Sequence, residues 1–65
     1  MVTVNGKTVP STDGETLIDV LARCGFSGSR IAVEVNGDIV PKSQHPTYRT
    51  SVDDRIEVVG LVGGG

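Results

Sequence analysis

The sequence predicts an α+β domain: a mixed sheet of about five strands with one helix packed on one face. Three observations predict it. Short β-branched runs alternate with a period of two; two of them run directly into Asn-Gly; and a single segment carries apolar residues at helical spacing. At 65 residues the chain makes one domain. Its boundaries are placed at 1–62, with 63–65 as a flexible Gly-Gly-Gly tail.

Val2-Thr3-Val4 reads as the first strand, and Asn5-Gly6 suits the positive φ angles of a type I′ hairpin turn. Lys7-Thr8-Val9 returns and Pro10 stops it. Ser11 to Glu15 is a polar loop. Thr16 opens the helix, its hydroxyl placed to cap the amide of Asp19, which itself stands where a capping box expects an acid. Leu17, Val20, Leu21 and Cys24 make one buried stripe at i, i+3, i+4, i+7, and Ile18 widens it. Gly25 is the expected left-handed residue past the helix end, with Phe26 packing back on the last turn.

Ser27 to Arg30 is read as a loop. Ile31, Val33 and Val35 alternate with Ala32 and Glu34 in a third strand, Asn36-Gly37 turns it, and Asp38-Ile39-Val40 returns as far as Pro41. Residues 42–53 are polar and read as a surface loop with a helical turn; His45 within it reads as solvated. Arg55 to Val62 is the last strand. The helix must bury its stripe, and the sheet is its only partner. Two hairpins and one crossing helix, with the first hairpin beside the strand that leads into the tail, describe the β-grasp, or ubiquitin-like, fold.

Composition excludes several functions. The net charge is −2 and no Lys/Arg cluster exists, which argues against nucleic acid and an anionic membrane surface. A single cysteine, Cys24, allows no intrachain disulfide and fits a reducing compartment. With neither a signal peptide nor a membrane-length apolar run in view, a cytoplasmic location is expected. His45 has no second His or Cys to complete a metal set. Asp53 and Asp54 are adjacent, so they read as turn residues, not as a carboxylate pair flanking a cleft. Cys24 reads as a small buried hydrophobe. Lys42, Arg49 and Arg55 read as scattered surface charge. No catalytic residue and no metal ligand is assigned, and the chain is not expected to be an enzyme.

The chemistry is expected at the end of the chain. Val62 is followed by Gly63-Gly64-Gly65, and a terminal Gly-Gly arises by chance in roughly 0.5% of chains. By themselves the glycines fit either an inert small-residue end or a reactive tail. Glycine suits a reactive tail because the missing Cβ lets the backbone thread a narrow channel. A free α-carboxylate is ionised at neutral pH and a poor electrophile. A partner must activate it, most simply by adenylation with ATP, after which sulfide attack yields a thiocarboxylate. Val59, Leu61 and Val62, near the tail, either complete the core or form an exposed patch; in the second case they are candidate docking residues, on the sheet face that the helix leaves uncovered.

Four blocks carry a family resemblance across nearly the whole chain: Val4-Asn5-Gly6; Glu15-Thr16-Leu17; Ala32-Val33-Glu34-Val35-Asn36-Gly37-Asp38-Ile39-Val40-Pro41; and Asp54-Arg55-Ile56-Glu57-Val58-Val59 ahead of Val62-Gly63-Gly64-Gly65. In these the chain resembles ThiS, the sulfur carrier family of thiamine biosynthesis. The resemblance implies that the Gly65 carboxylate is adenylated by a ThiF-type, E1-like enzyme, with Gly63 and Gly64 threading into the partner. It implies conversion to a thiocarboxylate with sulfur from a donor such as a cysteine desulfurase, and delivery to a ThiG-type thiazole synthase. No cofactor is bound; ATP is used by the activating partner. Two positions depart from the family: Asp53-Asp54 replaces a common Gly-Asp pair, and Gly60-Leu61 stands where an aromatic often precedes the tail. A carrier for another pathway, of the molybdopterin type, and a ubiquitin-like modifier or interaction module are the alternatives.

Overall fold

A computed structural model describes residues 1–26 and 30–60. The elements are β1 (Val2–Val4), β2 (Lys7–Val9), α1 (Leu17–Arg23), β3 (Ile31–Val35), β4 (Asp38–Val40), a 3₁₀ turn at Lys42–Gln44, and β5 (Arg55–Gly60). They form one five-stranded sheet in the order β2-β1-β5-β3-β4. The β1–β5 pair is parallel and the others antiparallel. The predicted mixed sheet and single helix are therefore present, with the first hairpin beside the last strand.

The two hairpins turn as their dipeptides require. Asn5 and Gly6 have φ of 52° and 82°, and Asn36 and Gly37 have 54° and 90°, as a type I′ turn demands. Alternation then sorts the strands. Val2, Val4, Val33, Val35, Val40, Ile56 and Val58 point to one face and join Leu17, Val20 and Leu21 of α1 in the core. Leu17, Val20 and Ile56 are fully enclosed, each contributing about 1.5–3 kcal/mol of transfer free energy.

Both ends of α1 are satisfied. Thr16 is the N-cap, accepting from the Asp19 amide at 3.4 Å. The remaining free amides find partners in the 45–50 segment: Leu17 N–H donates to the Tyr48 carbonyl at 2.8 Å and Ile18 N–H to that of His45 at 3.2 Å. At the other end Gly25 takes φ 88°. Its amide donates to Ala22, and the Phe26 amide donates to Leu21 at 2.8 Å, the paired bonds of a Schellman motif. Phe26 packs against the core, as expected.

Three expectations are corrected here. Ile18 does not widen the buried stripe: it is 44% exposed, one residue round the short helix from the enclosed Leu17. Cys24 is half-buried against the core, not enclosed. The 42–53 segment does contain a helical turn, but it is not wholly a surface loop. His45 is only 5% exposed, with Nε2 3.0 Å from the Val40 carbonyl, and Thr50 donates from both its amide and its hydroxyl to the Glu15 carbonyl, each at 2.8 Å. This segment closes the helix N-terminus, so His45 and Thr50 within it are buried and paired.

Asp53 adopts φ 69°, the left-handed conformation that glycine enters without strain. This is the position where the resemblance calls for glycine. Asp54 is largely buried and works as a turn residue: its carboxylate accepts from the Ser51 amide at 2.8 Å and from the Asn36 side chain at 2.9 Å. Asp53→Gly should raise stability by about 0.5 kcal/mol, the released strain exceeding the entropy lost. Asp53→Val should lower it by about 1–2 kcal/mol. Urea unfolding midpoints of the two variants check the ordering.

Candidate functional site: a glycine tail on a clamped central strand

Strand β5 leads into the tail, and its residues reach further across the fold than any other strand's. It lies at the centre of the sheet, between β1 and β3. On one side β3 pairs with it from Val35↔Ile56 to Ile31↔Gly60. On the other, β1 pairs only as far as Val4↔Ile56. Asn5 continues that ladder with its side chain: Nδ2 donates to the Val58 carbonyl at 3.2 Å and Oδ1 accepts from the Val58 amide at 2.7 Å. A carboxamide presents one donor and one acceptor in a plane, so it substitutes for one residue of strand backbone.

Asn36 does the same at the start of β5. Its Oδ1 accepts from the Arg55 amide at 2.9 Å, its own amide donates to the Arg55 carbonyl at 2.8 Å, and its Nδ2 reaches Asp54. The two Val-Asn-Gly triplets thus form turns, as the sequence predicts, and also grip β5 at two points. The second role was not visible in the sequence, because it depends on residues 19 and 53 positions away.

Within this frame Val59 is 59% exposed, on the sheet face away from the helix, and so does not complete the core. Leu61, Val62, Gly63, Gly64 and Gly65 lie outside the described residues. The structure therefore positions the stem of the tail, Val59 and Gly60, opposite Ala32 and Ile31.

Nothing resembling a catalytic constellation occurs among the described residues. No group of three or more His, Cys, Asp or Glu side chains converges on a point that could hold a metal. A groove of about 210 Å³ beside α1 is lined mainly by apolar side chains, including Ile18, Ala22, Phe26 and Pro46. Arg49 is committed to the fold, donating to the Gly14 carbonyl at 3.1 Å. Arg23 is too, donating to the Pro10 carbonyl at 2.7 Å and pairing with Glu15. No helix among the described residues is long and apolar enough to cross a membrane.

The burial contrast between neighbouring β5 residues predicts opposite mutational costs. Val58→Ala should cost about 2 kcal/mol, since Val58 is a core residue. Val59→Asp should cost about 1 kcal/mol or less, the ordinary price of a poor strand former on an exposed face. For Asn5→Ala the loss should be about 2–3 kcal/mol, from two hydrogen bonds and the left-handed backbone. Chemical denaturation of the three variants measures all of this.

Known proteins agree with this architecture. The sequence model of the ThiS family matches residues 2–65. The chain is similar to thiazole synthases from Paramagnetospirillum magneticum, 32% identical over 62 residues, and Magnetococcus marinus, 36% identical over 62 residues. In both cases 95% of this chain is covered, but it spans only 19% of the relative's length. The protein ycf40 of Porphyra purpurea is 32% identical over 63 residues, covering 95% of this chain and 87% of that one. Among solved structures, a thiamine biosynthesis protein (ThiS) from Geobacter metallireducens superposes with a TM-score of 0.77 at 25% identity, covering 98% of this chain and 97% of that one. With the family pattern spanning almost every residue and the same five-stranded fold in a solved ThiS protein, this chain belongs to the ThiS family.

Proposed function

We propose that this protein is the sulfur carrier for thiazole assembly in thiamine biosynthesis, acting in the cytoplasm as a co-substrate of partner enzymes and not as an enzyme. The observation that carries this reading is the family match through the tail, residues 2–65, on a fold whose central strand leads directly into it. In this reading residues 1–62 are the domain that partners recognise, and 63–65 are the reacting arm.

The steps follow from the carboxylate. A ThiF-type enzyme brings ATP to Gly65; a carboxylate oxygen attacks the α-phosphorus, and pyrophosphate leaves. Sulfide displaces AMP from the acyl-adenylate and gives the thiocarboxylate directly; a persulfide from a donor such as a cysteine desulfurase displaces AMP to give an acyl disulfide, which a thiol reductant then cleaves to the thiocarboxylate. That soft nucleophile delivers its sulfur to the acceptor held by a ThiG-type thiazole synthase, an oxygen from the acceptor or from water takes its place on the acyl carbon, and the carboxylate is regenerated. Gly63 and Gly64 thread the partner's channel, where a Cβ would collide with its walls. Val59, with Leu61 and Val62, supplies apolar contact to the activating enzyme. ATP belongs to that enzyme, and the carrier holds no cofactor. The thiazole synthase partnership is supported by the two thiazole synthases that each contain a segment similar to this chain.

Incubation with ATP, a sulfide source and a ThiF-type enzyme should add about 16 Da to Gly65, distinguished from sulfur oxidation by peptide mapping and alkylation at low pH. A chain lacking Gly64 and Gly65 should gain nothing. An unmodified tail on folded protein, with an enzyme active on its own carrier, would sink the reading in favour of an interaction module; lysine conjugates would instead support a protein modifier. Val59→Asp should weaken capture of the activating enzyme without unfolding the carrier.

A further inference from the structure

The helix side of the molecule carries a groove that the core does not use. It has a volume of about 210 Å³ and lies where α1 and its exit meet the 3₁₀ turn. Ile18, Leu21, Ala22 and Phe26 line it from the helix, and Lys42 and His45 from the turn. The helix wall is wholly apolar. Ile18, 44% exposed, offers the groove an apolar side chain that the core leaves out.

The opposite wall is polar, and His45 is its unusual member. The residue is only 5% exposed, and its Nε2 lies 3.0 Å from the Val40 carbonyl. A carbonyl oxygen only accepts, so Nε2 of the neutral ring carries the hydrogen and Nδ1 is left as an acceptor. Among the described residues nothing donates to Nδ1. Nor is any fully enclosed side-chain nitrogen or oxygen there without a partner. Nδ1 therefore keeps a small opening, and the groove is the opening that His45 borders. An acceptor set this deep is met from within the groove. Lys42 stands at the same rim, exposed, and makes no ion pair among the described residues.

We infer that the groove receives one tryptophan or tyrosine side chain of a partner protein, whose N–H or O–H donates to His45 Nδ1, while a neighbouring Asp or Glu of the partner pairs with Lys42. Volume selects an anchoring side chain. Sites for cofactors and drug-sized ligands run to about 300–1,000 Å³, and a single anchor residue needs less. Chemistry selects the residue. An apolar wall facing one deep acceptor calls for a large apolar body with a donor at its tip, which Trp and Tyr supply. Phe or Leu would strip Nδ1 of water without replacing the bond. Charge complementarity selects the acidic neighbour, because Lys42 is the charged side chain of the lining. The groove is on the helix side of the sheet and Val59 on the other. This docking site is therefore separate from the tail stem and does not depend on the sulfur chemistry.

Three blocked dipeptides probe it: acetyl-Trp-Glu-amide, acetyl-Phe-Glu-amide and acetyl-Trp-Gln-amide. Each is titrated into the isotope-labelled full chain and followed by NMR. The Trp-Glu peptide should shift the Ala22, Phe26 and His45 amides and the His45 Nδ1 resonance saturably, with a Kd on the order of 1 mM. The Phe-Glu peptide should bind about five-fold more weakly and leave Nδ1 unmoved. The Trp-Gln peptide should bind about three-fold more weakly. Ala22→Leu, at an exposed helix position, fills the groove with a good helix former and should weaken the Trp-Glu peptide roughly ten-fold. Lys42→Ala should erase the preference for Glu over Gln. Equal binding of the Trp-Glu and Phe-Glu peptides overturns the hydrogen bond to His45. Equal binding of the Glu and Gln peptides to the wild-type chain overturns the role of Lys42. Shifts centred on Ala32 and Val59, or undiminished binding to a folded Ala22→Leu chain, overturn the site itself. No saturable shift at about 10 mM peptide overturns the whole inference and leaves the carrier reading untouched.

Discussion

Two side-chain carboxamides hold this fold in register. Asn5 and Asn36 each occupy the first central position of a hairpin turn, where few L-residues tolerate the backbone. Each also spends its amide on the backbone of β5. Sheet register normally rests on the ladder and on which side chains are buried. Here β1 and β5 share only two paired positions, Thr3↔Arg55 and Val4↔Ile56. Two pairs define a parallel register weakly, and a slip by one residue would send Ile56 and Val58 to the solvent. The Asn5 carboxamide on Val58 prevents that slip, and Asn36 fixes the other margin. The position of Gly60, and so the direction in which the chain approaches its tail, follows from these contacts.

The local signals in the sequence proved sufficient for the elements and insufficient for burial. Asn-Gly at 5–6 and 36–37, Thr16 as a cap and Gly25 as a stop act over a few residues, and each appears in the structure where it was read. His45, Thr50 and Ile18 were misjudged for a shared reason. Their exposure depends on where the polar 42–53 segment goes, and it lies across the start of α1 to pair with its free amides. No periodicity within that segment encodes this, because the requirement comes from the free amides of Leu17 and Ile18, far earlier in the chain. A seven-residue helix also carries a narrow stripe, so Ile18, one residue round from Leu17, faces outward.

For the functional site the division is similar. The glycine tail and the family blocks are written in the linear sequence and needed no structure. Val59 was left open between core and surface, and the strand pairing of β5 with β3 puts it outside. The groove at His45 was not legible, since its walls on α1 and the 3₁₀ turn become neighbours only in the fold. The departure at Asp53 gains meaning in the same way: a substitution of glycine by aspartate reads as neutral until its φ of 69° is known.

The central placement of β5 also has a mechanical consequence. Force applied to the chain beyond Gly60, along the strand, acts on hydrogen bonds on both flanks together: five registered positions along β3 and the β1–Asn5 ladder opposite. Bonds loaded side by side in shear must yield together, whereas an edge strand peels one bond at a time. A tail drawn into a tight channel, or dragged out of it, therefore transmits tension to the part of the molecule best built to resist it. Such a load meets the sheet at its most heavily bonded strand.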